Sequence, residues 1–219
     1  MSSPVCISLK SVRSLTLMAG MLLLVACGGS SSTRPDAKAQ ESQPQERAEA
    51  SVAAPVHRDI PPQAQTLFEQ ATAVMASGDY LDAELRFKDF LMRYPDFPGA
   101  HTNLAIIHAN NGNDSAAQAS VDAALAVDPN FAPALNQQGM LYRKTGNFIE
   151  AEAAYLKAVT ASPSYALAHY NLGVLNELYL QRLATALQHF EQYQSIVGED
   201  EQVERWIADL RRRVAAAQS

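Results

Sequence analysis

Two histidines seven residues apart, His101 and His108, fall two turns along one helix face, a spacing that some metal sites use. No cysteine and no third histidine stands near them in the sequence, so the pair is read as packing and no metal is expected. Cys27 is the second residue whose setting could carry chemistry. It closes the string Leu24-Val25-Ala26-Cys27, at the end of an apolar run from Leu15 to Ala26 that follows Lys10 and Arg13. The chain's other cysteine, Cys6, lies in the same N-terminal segment, so no disulfide framework or cysteine metal site is expected in the region beyond it. A phosphate-binding glycine loop, a Gly-x-Ser-x-Gly elbow and a zinc-protease helix are all missing from the sequence. Ser, His and Asp occur without triad spacing. No catalytic residue and no cofactor are expected.

The elements that would position any site come from a repeat. Pro129-Asn130-Phe131 opens a unit, Gly146-Asn147-Phe148 turns it in the middle, Ala151 and Tyr155 follow at helical spacing, and Pro163-Ser164-Tyr165 closes it. The same marks stand 34 residues earlier as Pro95-Asp96-Phe97, Gly112-Asn113, Ala117 and Val121, and again before that as Gly78-Asp79-Tyr80, Ala83 and Phe87. A later unit gives Gly173, Ala186 and Phe190, with one residue inserted in its central turn. Glycine in the middle of each unit can take the left-handed conformation that ends a helix. The Asn or Asp after it can cap the next helix, and Asn147 with Glu150 has capping-box spacing. Proline at 95, 129 and 163 stops the second helix, because its ring cannot continue the ladder. Small residues at place eight (Ala71, Ala105, Gly139, Gly173) and place twenty (Ala83, Ala117, Ala151, Ala186) let two helices approach, and Phe87, Tyr155 and Phe190 are expected to fill the gap between hairpins.

This period and these places resemble the tetratricopeptide repeat. The resemblance implies an all-α, right-handed superhelical solenoid of about four helix-turn-helix repeats, near 64–97, 98–131, 132–165 and 166–198, within a domain over 61–219. Repeat one should place helices near 64–77 and 80–93, with packing shifted by Phe90, which stands where the family prefers alanine. Repeat four has Leu180-Gln181-Arg182-Leu183 in place of the glycine turn. Val203, Ile207, Leu210 and Val214 form an apolar stripe on a capping helix near 200–215, with Trp206 beside it as a core anchor and Arg211 to Arg213 facing solvent at its end.

The N-terminus reads as an address. Residues 1–26 have the layout of a secretory signal peptide, and Leu24-Val25-Ala26-Cys27 resembles a bacterial lipobox. The resemblance implies cleavage before Cys27, a diacylglycerol on its sulfur and an acylated amine, commonly with palmitate; more than one chain makes a stable anchor. Gly28 follows where an aspartate would signal retention at the inner membrane, which favours the outer membrane. Residues 27–60 are expected to be a lipidated cysteine and a disordered tether, with a reach of roughly 30–35 Å.

The formal net charge is −6, and removing Lys10 and Arg13 takes it to −8. With no basic stripe, nucleic acid is not an expected partner. The family's concave groove maps here onto Phe68, Thr72 and Met75; Thr102, Asn103, Ile106 and Asn110; Asn136, Gln137, Met140, Arg143 and Lys144; and Tyr170, Asn171, Val174 and Glu177. Amides mixed with apolar side chains suit a polypeptide partner. The chain resembles tetratricopeptide-repeat lipoproteins of the outer membrane that act as pilotins for pilus secretins. Alternatives are an adaptor for peptidoglycan enzymes, an accessory of a TonB-ExbB system, or a structural homo-oligomer.

Overall fold

The computed structural model describes residues 61–218; the signal peptide, Cys27 and tether expected from the sequence lie outside them. The described residues form nine helices and no strand. Four hairpins come first: α1 (Pro62–Ala76) with α2 (Tyr80–Arg93), α3 (Pro98–Asn110) with α4 (Asp114–Val127), α5 (Ala132–Lys144) with α6 (Phe148–Ala161), and α7 (Ala166–Leu178) with α8 (Leu183–Val197). A last helix, α9 (Glu201–Ala217), packs on α8. Each hairpin touches only its neighbours, with α3, α5 and α7 side by side. Such stacking makes stability a chain of nearest-neighbour terms.

Local chemistry accounts for the boundaries. Gly78, Gly112 and Gly146 take positive φ of 89°, 74° and 80° where the first helix of each hairpin ends. Asp79 and Asn113 then accept bonds from the backbone N–H of Asp82 and Ala116. Asn147 does not: its amide instead donates to the Thr145 hydroxyl at 3.0 Å, and the expected capping box is not formed. The preceding threonine captures the amide first, a choice the flanking Glu150 could not reveal. In the fourth turn Gln181 supplies the left-handed residue at φ 55°, the only non-glycine to do so among the described residues. The inserted residue lets the Arg182 N–H reach back to the Asn176 carbonyl, while its guanidinium pairs with Glu152 on α6. The second helices α2, α4 and α6 all stop two residues before Pro95, Pro129 and Pro163.

The core is threaded along the array. All eight small residues at places eight and twenty are buried. Their partners sit inside each hairpin more than between hairpins: the Tyr155 ring covers Gly139 and the Phe190 ring covers Gly173, so closely that an added Cβ would stand 2.5 and 2.7 Å from them. At the N-terminal end Phe90 is buried and stacks with Phe68, Tyr94 and Phe97 at centroid distances of 5.8, 5.1 and 5.1 Å. A cluster of rings, rather than a close helix contact, thus joins α1 to α2 and α3.

At the other end Val203, Ile207 and Leu210 bury the α9 stripe against Ala186 and Phe190, and Trp206 lies 5.5 Å from the Phe190 ring. The arginine run does not simply face solvent. Arg211 bonds Glu191 on α8 and Arg213 bonds Glu177 on α7, while Arg212 pairs with Asp209 within α9. Asp200 caps α9 by accepting from the Gln202 and Val203 N–H groups, which holds its carboxyl below the usual range.

Candidate functional groove

Side chains of α3 and α5, the first helices of two adjacent hairpins, line an open groove. It holds two cavities of about 390 and 420 Å³ that share Ile106, Gln137 and Met140. One lies toward the start of these helices and is walled by Phe68, Thr102, Asn103, Asn136, Phe131 and Tyr165. The other lies toward their ends, bounded by Asn110, Arg143, Lys144 and Tyr179. The helical period puts one residue in each turn on this face, which is why Thr102, Ile106 and Ala109 or Asn136, Met140 and Arg143 recur at three and four.

Polar groups in the groove differ in how they are satisfied. Thr102 Oγ1 donates back to the Pro98 carbonyl at 2.8 Å. Asn171 Nδ2 donates to Asn136 Oδ1 at 2.9 Å, and both residues are buried, at 7% and 5% exposure. This amide pair bridges α7 to α5. Asn136 Nδ2 is left with the soft sulfur of Met140, 3.8 Å away. Gln137 is equally buried, at 5%, lines both cavities and makes no side-chain hydrogen bond within the described residues. Met140 is exposed beside it.

Charge is one-sided. No Asp or Glu appears in either lining, and the charged residues there are Arg143 and Lys144. Lys144 is paired with Asp114 on α4. Among the described residues Arg143 has no carboxylate partner; its guanidinium lies against the buried hydroxyl of Tyr155. Burial pushes that phenol up to about 12 against the opposing pull of the Arg143 cation, so it stays neutral at ordinary pH.

Of the residues read from the sequence, the structure brings Thr102, Asn103, Ile106, Asn136, Met140 and Arg143 together around these cavities. Tyr170, Asn171 and Val174 line neither. Tyr170 and Val174 pack under α9, with Tyr170 5.4 Å from Tyr193 and 6.0 Å from Trp206, and Asn171 spends its amide on Asn136. Glu177 is held by Arg213. The helix that caps the array also occupies the space beside α7. Phe131, Tyr165 and Leu167 line the first cavity without being among the expected groove residues. The first two show in the sequence only as marks of the repeat boundary, which places them at the mouth of that cavity.

His101 Nε2 meets the Pro95 carbonyl at 2.9 Å, and His169, at the same repeat place, meets the Pro163 carbonyl at 3.1 Å, so both rings tie the first helix of a repeat to the proline before it. No group of three or more metal-binding side chains occurs among the described residues. No described helix is long and apolar enough to cross a membrane.

Known proteins share this architecture. A tetratricopeptide repeat family model matches residues 74–137 and another matches residues 139–178. The structure of PilF from Pseudomonas aeruginosa aligns with a TM-score of 0.61 at 24% identity, covering 71% of this chain and 72% of that one. A thermophilic repeat protein of Thermus thermophilus aligns with a TM-score of 0.59 at 21% identity, over 68% and 82%. The first repeat domain of RPAP3, solved with the HSP90 peptide SRMEEVD, aligns with a TM-score of 0.50 at 17% identity, over 54% and 95%. No curated protein sequence matches the chain. At these identities the likeness to the solved structures is one of fold. Over residues 74–137 and 139–178 this chain is built of tetratricopeptide repeats, in an all-helical solenoid whose fold is that of a protein–protein interaction scaffold.

Proposed function

We propose that the protein is a lipid-anchored adaptor of the bacterial envelope, held at the outer membrane through Cys27 and facing the periplasm, and that it binds a polypeptide partner in the groove of α3 and α5. The single observation that carries the binding reading is the open groove itself, two cavities that share Ile106, exposed Met140 and Gln137, whose amide makes no side-chain hydrogen bond among the described residues. A peptide backbone can supply that amide with both a donor and an acceptor while its side chains fill the apolar walls. The lipobox-like string before Cys27 supports the anchor, and the resemblance of string and repeats together to outer-membrane pilotin lipoproteins supports a role in envelope assembly such as pilus or secretin biogenesis. The groove holds no arrangement of nucleophile, base and orienting group, so the reading is of a scaffold.

In-cell crosslinking of envelope proteins, comparing wild type with Met140→Asp at matched abundance, tests the groove. Loss of specific crosslinked partners is expected; the same partners from both would move the interface elsewhere. Mass spectrometry of the membrane fraction should find an acylated peptide beginning at Cys27, and an unmodified mature terminus elsewhere would remove the anchor. A second reading, self-association, is favoured by Leu81, Leu85 and Met92, which form an exposed apolar stripe on α2. Sedimentation of wild type and Leu85→Glu distinguishes it: a dimer dissolved by the variant would assign that stripe to a second copy.

A further inference from the structure

The groove's electrostatics narrow its partner. Eight arginines lie in the described residues, and seven of them, Arg86, Arg93, Arg182, Arg205, Arg211, Arg212 and Arg213, are in ion pairs. Arg143 is the exception, and it alone of the eight lines the groove. This happens in a chain with 23 acidic residues against 17 basic ones, where pairing should be easy. Its neighbour Lys144 is already paired with Asp114, the phenol of Tyr155 is neutral, and no carboxylate belongs to either cavity lining. Arg143 is partly buried at the groove wall and meets no counter-charge among the described residues. That fork of donors is shaped to grip a carboxylate with two parallel bonds.

Resting on the groove reading above, we propose that Arg143 selects an acidic polypeptide segment of another protein. The segment lies along α3 and α5, sets apolar side chains among Phe68, Ile106 and Met140, meets Gln137 with its backbone, and places an Asp or Glu side chain on Arg143. The apolar cavity supplies affinity and the single cation supplies register. Sliding the segment by one residue would take the carboxylate off the guanidinium and leave both charges unpaired.

Selection from a phage-displayed library of twelve-residue peptides, on the purified full chain in detergent, tests this. The wild type should enrich peptides with Asp or Glu near large apolar residues. Against Arg143→Gln the winning peptide should weaken about ten- to hundredfold, the loss typical of a hydrogen-bonded charge. Arg143→Glu should turn the selection toward Lys and Arg, a reversal that a merely structural role would not produce; circular dichroism checks that both variants fold. Arg143→Lys should retain the acidic preference at reduced affinity, which keeps the test valid if a charge-removing variant unfolds. Peptides enriched without acidic bias, or unchanged affinity in Arg143→Gln, would overturn the role of Arg143 while leaving the groove as a binding site. No enrichment at all would overturn the groove reading itself, and this inference with it. Winners that match residues 41–60 would assign the groove to the chain's own segment rather than to another protein.

Discussion

Helices α5 and α7 stand at the same place in consecutive repeats, yet one is an open wall and the other is closed. Met140 and Val174 are repeat equivalents: the first is exposed in both cavities, while the second packs in the cluster beneath α9. Arg143 and Glu177 are equivalents too. Arg143 meets no carboxylate among the described residues, whereas Glu177 is bonded by Arg213 at 2.7 Å. A repeat position therefore has no fixed role. What it does is decided by the next element in the stack, and α9 is an element that makes α7 a structural wall.

The largest expected effect tests what the two hairpins share. Gly139→Leu should destabilise the array by about 3 kcal/mol or more, since even a Cβ there would overlap the Tyr155 ring. Urea denaturation measures it, and a loss under about 1 kcal/mol would mean that Tyr155 swings away at little cost. Trp206→Ala addresses the difference between them. It should cost about 2–3 kcal/mol, a little less than full truncation of a buried aromatic, and should expose Tyr170 to quenchers and solvent. If the Tyr170 environment stayed unchanged, α9 would not be what closes α7.

The bond that joins the two walls is next. Asn136→Ala or Asn171→Ala leaves the other amide buried without its partner, at about 1–3 kcal/mol each. The double variant should cost less than the sum of the two, and strict additivity in the cycle would show the amides to be independent. The smallest effect concerns pH. Burial, and then the nearness of His169, hold His189 below the usual histidine range, its ring 3.3 Å from His169 between the Nδ1 atoms. A group kept neutral in the fold contributes stability above its unfolded pKa and loses it as pH falls through about 6.5 toward the lower folded value. His189→Gln should flatten the melting temperature between pH 7 and pH 5, with a shift confined to the α7–α8 end. An unchanged pH profile would place the titration elsewhere.

The hairpins were legible because their signals are local. Glycine turns, prolines and paired small residues each act within a few positions, and a period of 34 repeats the message. Half of the groove was legible for the same reason, since Thr102, Ile106, Asn136 and Met140 follow from helical phase alone. Three things escaped. Val174 looks like Ile106 in sequence, and only the path of α9 after Gly198 distinguishes them. Asn136 and Asn171 read as two free amides, because nothing in either helix announces a bond across 35 positions. Arg211 to Arg213 read as a solvated run because their acceptors, Glu191 and Glu177, lie on other helices. Each miss is a contact between elements whose spacing depends on the assembled stack.

The bond between Asn171 and Asn136 has a mechanical consequence. Two apolar helix faces can slip past one another by a turn, about 5.4 Å, and still bury similar area. A bonded pair of amides sunk in that interface cannot follow such a slip without both losing their partner in a dry setting, so the joint has one favoured alignment and resists shear. A stack of repeats pulled along its length is loaded in shear at each joint. In this chain a hydrogen bond between two buried amides pins one such joint, where the open wall meets the closed one.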